Sequence, residues 1–177
     1  MDDHILGWDQ SVMGLHRTPA KSGRGFDFLW FHMKLIITSG FYEPVHPGHI
    51  ECFRLARQLG DLLVVIVNND EQAKRKKGFV FQPLADRIEI IKSIRYVDYA
   101  IASESEDQSV CSDIERVCNL WPIRAGDKVI FAKGGDRTSD EIPEKAVCDR
   151  LGIEIIDGLG AKIRSSSEII KRRKDNK

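Results

Sequence analysis

Residues 34 to 67 leave little choice of architecture. Leu35 to Thr38 is a short apolar, β-branched run stopped by Gly40, the pattern of a buried strand. Pro44 and Pro47 punctuate a loop. Apolar residues then recur at Ile50, Phe53, Leu55, Ala56 and Leu59, a helical stripe that ends near Gly60. Leu62 to Val67 is a second uninterrupted apolar run. A strand, a loop, a helix and a strand in this order predict a right-handed crossover between parallel strands. His46, Pro47, Gly48 and His49 fall where the loop enters the helix.

That junction suits an anion. The first N–H groups of a helix lack intrahelical partners, and the macrodipole leaves about half a positive charge there. Gly48 allows close approach to the backbone. Imidazoles three positions apart share one side of the first turn and can donate to phosphate oxygens. No Gly-x-x-x-x-Gly-Lys-Ser/Thr loop occurs anywhere in the chain.

The strand–helix alternation continues. Val67 runs into the polar Asn68-Asn69-Asp70, placed where open α/β sheets gather ligands. Asp70 to Lys77 is a charged segment or short helix carrying Lys74, Arg75, Lys76 and Lys77, with Gly78 as a hinge. It reads either as a solvated turn or as a mobile basic loop over a phosphate. Leu84 to Ile94 is a predicted helix with Ile88, Ile91 and Ile94 on one face and Arg87 off that face, without a partner in its own helix. Tyr99 to Ala102 is a third strand, and Ser105 with Gln108 has capping-box spacing for a helix over Val110 to Leu120. Val129 to Ala132 is a fourth strand, followed directly by Lys133-Gly134-Gly135-Asp136, where two glycines permit a sharp turn against a ligand. Pro143 opens a helix through Arg150, Gly152 stops it, and Ile153 to Ile156 is a fifth strand. The fold expected is therefore α/β and Rossmann-like, with a mostly parallel five-stranded sheet and helices on both faces.

In combination these motifs resemble the His-x-Gly-His nucleotidyltransferase superfamily, which includes glycerol-3-phosphate cytidylyltransferase and the adenylyltransferase domain of ADP-heptose synthase. His46-Pro47-Gly48-His49 is similar to its signature, and Lys133-Gly134-Gly135-Asp136 looks like the adenylyltransferase version of the later loop. Ser165-Ser166-Ser167 resembles the family motif that meets the β and γ phosphates; Ser165 and Glu168 also have capping-box spacing, and both readings can hold together. The resemblance covers residues 34 to 170. It implies catalytic roles for His46, His49 and Lys77. It also implies nucleotide contacts at Ser39, Gly40, Phe41, Gly48, Lys133, Gly134, Gly135, Asp136 and Ser165 to Ser167, and acceptor-phosphate contacts at Lys77 and Arg87.

Two departures stand out. Gly40-Phe41-Tyr42-Glu43 replaces the usual Gly-Thr-Phe-Asp, and Arg164 stands where the family has isoleucine. Lys162 or Arg164 can take the place of a basic residue that the family carries slightly earlier.

The activity so implied is transfer of AMP, or of CMP, from ATP or CTP to a phosphorylated sugar or polyol, with pyrophosphate released. Mg²⁺ would arrive on the substrate and keep several waters, needing no protein carboxylate cage. The alternatives are a catalytically silent nucleotide-binding module and a nucleic-acid reader using Lys171 to Lys174. Against the reader stands the charge balance: Lys plus Arg and Asp plus Glu both total 27. The expected partners are the nucleotide, the phosphorylated acceptor and a second copy of the chain, without nucleic acid or membrane. Cys52, Cys111, Cys118 and Cys148 show no zinc spacing and read as buried free thiols in a reducing, cytoplasmic compartment. Residues 1 to 32 hold four glycines and no sustained period. They read as a poorly ordered extension before a nucleotidyltransferase domain at 33 to 177, with Met33 as an alternative start.

Overall fold

A computed structural model of the chain describes residues 32–121, 123–134, 142–160 and 166. The expectations for residues 1 to 31, for Gly135, Asp136, Ser165 and Ser167, for Lys162 and Arg164, and for the tail lie outside the described residues. The elements run β1 (Lys34–Gly40), α1 (Pro47–Gln58), β2 (Leu62–Val67), α2 (Asp70–Lys77), α3 (Leu84–Lys92), β3 (Tyr99–Ala102), α4 (Cys111–Leu120), β4 (Lys128–Gly134), α5 (Lys145–Leu151) and β5 (Glu154–Leu159).

The five strands form one sheet in the order β3-β2-β1-β4-β5, and every neighbouring pair is parallel. The apolar strands explain this. Parallel sheets are covered on both faces, so their strands need no polar side. Ile36, Leu63, Val65, Val67, Ile130 and Ala132 face Phe53 and Ala56 of α1 and Ile91 of α3. The intervening residues Leu35, Ile37, Val64, Ile66 and Phe131 are equally buried on the opposite face. There Trp121, at the end of α4, meets the ring of Tyr99 edge-on at 5.2 Å.

Strand order reverses at β1. The chain first builds outward through β2 and β3, then returns through α4 to lay β4 on the other side of β1. The crevice at the carboxyl ends of β1 and β4 is the switch point where open α/β sheets take ligands.

Local details settle one sequence alternative and correct two readings. The basic segment is the short helix, α2, capped by Asn69, whose side chain accepts the Gln72 N–H at 2.8 Å. Asn69 also donates to the Ser103 and Ser105 carbonyls, and Gln72 donates to those of Asp107 and Ser109. Asn68 and Asn69 thus use their side chains to anchor α2. Ser105 does not cap α4, which starts at Cys111 with Val110 at its N-cap. Its hydroxyl instead donates to the buried Asp113 carboxylate at 2.9 Å, beside Ser103 at 2.6 Å. Of the four thiols, Cys148 is buried and the others are half-buried. Burial pushes Cys52 and Cys118 up to about 11 and Cys148 to about 12. Among the described residues no helix is long and apolar enough to cross a membrane.

Candidate active site

The histidine pair stands at the mouth of the crevice. His46 is the extended N-cap of α1, Pro47 is its first residue and His49 its third helical position. Proline suits that place because its missing N–H would be unpaired anyway. The N–H groups of His49 and Ile50 already reach the His46 carbonyl, at 2.9 and 3.3 Å. The helix end therefore presents a narrower donor set than the general rule suggests, centred on the Gly48 amide.

The two imidazoles are stacked, with centroids 3.7 Å apart and planes 18° from parallel. His49 Nδ1 accepts the main-chain N–H of His46 at 3.3 Å, the return half of a capping box with imidazole in place of Glu or Gln. A neutral imidazole with an accepting Nδ1 carries its proton on Nε2. Burial, then the charge of His46 and that of Lys77, lowers His49 to about 3. His49 is thus an uncharged N–H donor at neutral pH.

Tyr42 holds this donor in place. Its ring meets His49 edge-on at 5.0 Å and Phe53 at 5.1 Å. Its φ is 50°, a left-handed conformation that costs a non-glycine residue on the order of 1–2 kcal/mol. Burial raises its phenol far above the ordinary range, with Thr38 as hydrogen-bond partner. A Cβ on Gly40 would lie 2.9 Å from the Tyr42 ring, so Gly40 makes room for that ring. Ser39 precedes it in β1, paired with Ile66.

Across the crevice, β4 extends through Lys133 and Gly134. Lys133 points to the α4/α5 face with Phe131. Its ammonium lies 3.4 Å from the buried Glu144 carboxylate and 5.2 Å from the Phe131 ring centre. A Cβ at Gly134 would come within 2.7 Å of Cys52 Sγ, so glycine is what lets β4 end against α1. Ser166 reaches the same loop, its hydroxyl donating to the Pro44 carbonyl at 3.1 Å.

Lys77 and Arg87 occupy places the sequence did not foresee. Lys77 donates to the Glu43 carbonyl at 2.8 Å and to its carboxylate at 3.3 Å. Burial draws its ammonium below the ordinary lysine range, Glu43 pulls it back up, and Arg87 pushes it down. The Phe41 ring sits under Lys76 Nζ at 4.4 Å and lies 5.7 Å from Lys77 Nζ. Arg87 is 0% exposed and sits on the buried face of α3, one turn before Ile91. Its guanidinium donates to the carbonyls of Gln82 (2.9 Å), Phe41 (2.8 Å) and Asn68 (2.7 Å) and to the Asp70 carboxylate (2.5 Å). In this structure Arg87 knits four loop ends together, and the acceptor-phosphate contact expected of it has no open face. Glu43, also 0% exposed, was visible in the sequence only as a departure from the family pattern.

The cytidylyltransferase-like family model matches residues 37–172, from within β1 to beyond Ser166. The chain belongs to the cytidylyltransferase-like family. It is a nucleotidyltransferase. An FAD synthase of Pyrococcus abyssi is 38% identical over 124 residues, covering 68% of this chain and 77% of that protein. The bifunctional protein HldE of Streptomyces coelicolor is 32% identical over 148 residues, 80% of this chain but 28% of HldE. Among solved structures, the lipopolysaccharide core biosynthesis protein of Thermoplasma volcanium superposes with a TM-score of 0.55 at 25% identity, covering 71% of this chain and 94% of that one. The NadR protein in complex with NAD and AMP-PNP shares the fold, with a TM-score of 0.50 at 14% identity over 81% of this chain and 42% of NadR.

Proposed function

We propose that the chain transfers AMP from ATP to a phosphomonoester and releases pyrophosphate. The observation that carries this is the stacked histidine pair at the N-terminus of α1, on the switch point of the sheet. An oxygen of the acceptor phosphate attacks the α-phosphorus, the bond to the β-phosphate oxygen breaks, and pyrophosphate leaves with that electron pair. The nucleophile is already ionised at neutral pH, so the site needs no activated serine or cysteine. It needs charge stabilisation as negative charge grows on the α- and β-phosphate oxygens. His49 Nε2–H, His46 and the Gly48 amide are the donors this reading assigns to that charge. Lys77 is the candidate for the acceptor phosphate. Gly134 and Ser166 bracket the nucleotide side, with Ser39, Gly40, Phe41 and Lys133 supporting the crevice walls. Mg²⁺ carried by the triphosphate would neutralise part of its charge.

The relatives named FAD synthases favour ATP over CTP. The acceptor is a phosphorylated sugar or polyol in the first reading. A second reading, a phosphate on a flat aromatic system such as a flavin, is favoured by Phe79, Val80 and Phe81. These follow Lys77 closely and stay 38, 37 and 41% exposed. The test is pyrophosphate release from ATP and CTP against heptose 1-phosphate, glycerol 3-phosphate, ribitol 5-phosphate and FMN. Release dependent on one of these acceptors supports the reading. Nucleotide binding without release from any pair returns the chain to a silent binding module.

A further inference from the structure

We propose that Glu43 is a positioning residue that orients Lys77 and the segment 77–82 toward the acceptor phosphate. The proposal rests on the reading of Lys77 given above. Glu43 lies in the β1–α1 loop, three residues before His46, and its side chain is wholly buried. Every hydrogen bond described for it comes from one segment. Its Oε1 accepts the main-chain N–H groups of Phe81 and Gln82, the latter at 2.9 Å. Its Oε2 and its own carbonyl oxygen take Lys77 Nζ. A single carboxylate thereby fixes both ends of the turn that joins α2 to α3.

The geometry does more than anchor a loop. An ammonium has three N–H bonds on a freely rotating head. Glu43 engages two of them from fixed directions, so the third has one direction left to a ligand. Arg87 completes the frame, since it donates to Gln82 and Phe41 carbonyls on either side of the Glu43 contacts. The histidines and the acceptor lysine are therefore set relative to each other through one residue that touches neither substrate. Such registration governs rate because small misplacements of reacting groups are costly.

The fork is sensitive to the length and charge of the side chain. Glu43→Gln keeps an oxygen for the Phe81 and Gln82 amides and loses the anion facing Lys77. Glu43→Asp keeps the anion and withdraws it by one methylene. Lys77 labelling by acetic anhydride reports its release without any turnover, with Lys74 on the same helix as internal reference. Inorganic phosphate is the anion probe, and FMN and glycerol 3-phosphate are the acceptor probes. We expect Lys77 to label at least about fivefold faster in Glu43→Gln, with Glu43→Asp in between. We expect the acceptor KM to rise about tenfold, the loss of one oriented charge-assisted bond, while the ATP KM stays within about twofold. In a Lys77→Ala background, Glu43→Gln should add nothing to the acceptor KM. If phosphate fails to protect Lys77 in the wild-type protein, the acceptor reading of Lys77 falls and takes this proposal with it. If phosphate protects Lys77 but Glu43→Gln leaves its labelling unchanged, or raises both KM values together, the positioning role alone is overturned.

Discussion

Replacing Arg87 by methionine separates a frame residue from a phosphate ligand. Methionine keeps a long apolar stem and removes the five N–H donors. The carbonyls of Phe41, Asn68 and Gln82 lose this donor at once, and the Asp70 carboxylate keeps the Leu84 N–H. Breaking a buried pair by deleting one charge costs about 3–5 kcal/mol. Asp70 is 42% exposed and recovers water, which moves the figure to the low end. The carbonyl of the buried Asn68 cannot recover water so easily and adds about 1 kcal/mol for a lost acceptor partner. A loss of about 4 kcal/mol in total follows, which for a domain of this size lowers Tm by about 12 °C. Circular-dichroism melting with a urea titration reads the stability, and pyrophosphate release reads acceptor and ATP KM in the same preparations. Arg87→Lys should fall between wild type and Arg87→Met, because an ammonium cannot span the four acceptors as a planar fork does. A melting temperature within about 2 °C of wild type, combined with an acceptor KM raised tenfold or more, would refute the reasoning and restore Arg87 to the acceptor site.

The other predictions concern the crevice. His49→Ala should lower kcat by about a hundred- to a thousandfold with ATP Kd and Tm little changed, and His49→Asn should recover part of the rate, checked by steady-state kinetics beside calorimetry. His49 titrates at about 3 when folded against an ordinary value of 6.5, so the unfolded chain takes the proton first. Its contribution to stability is therefore full above pH 6.5 and is lost as pH falls toward 3, at up to about 1.4 kcal/mol per unit. Urea midpoints between pH 7 and pH 4 should slope less in His49→Asn. Gly134→Ala should cost about 1–3 kcal/mol by overpacking against Cys52, and Cys52→Ala in the same chain should restore most of it, read as Tm. Chelation with EDTA should stop pyrophosphate release and leave Tm unchanged, since among the described residues no group of three or more His, Cys, Asp or Glu could hold a metal. A Tm that drops on chelation would point to a resident ion.

The order of strands and helices was legible because apolar runs and helical stripes alternate with clear punctuation. The histidine pair was legible for the same reason, since its place at a strand–helix junction gave the motif meaning. Arg87 was not. The helical stripe was drawn from apolar residues alone, and the acceptors that bury this guanidinium are mostly main-chain oxygens from loops far along the chain. Main-chain partners leave no mark on a sequence. Glu43 was hidden similarly, as two of its donors are backbone amides. Lys133 is a different lesson. Reading β4 to end at Ala132 put Lys133 in the loop, whereas one more residue of alternation puts it on the Phe131 face beside Glu144.

The position of β1 at the centre of the sheet has a consequence for how the protein is made. The β1–α1–β2 unit is continuous in sequence and can close early as the chain leaves the ribosome. β4 pairs with the free edge of β1 only after residue 134 has been synthesised. Long-range parallel pairing of this kind is slow, because loop entropy is lost before the contacts form. The histidines thus exist in a folded half before the crevice has its second wall. Nascent chains ending before β4 should not retain ATP, so nucleotide capture reports the docking of that strand, and ATP present during synthesis would favour the completed sheet by mass action.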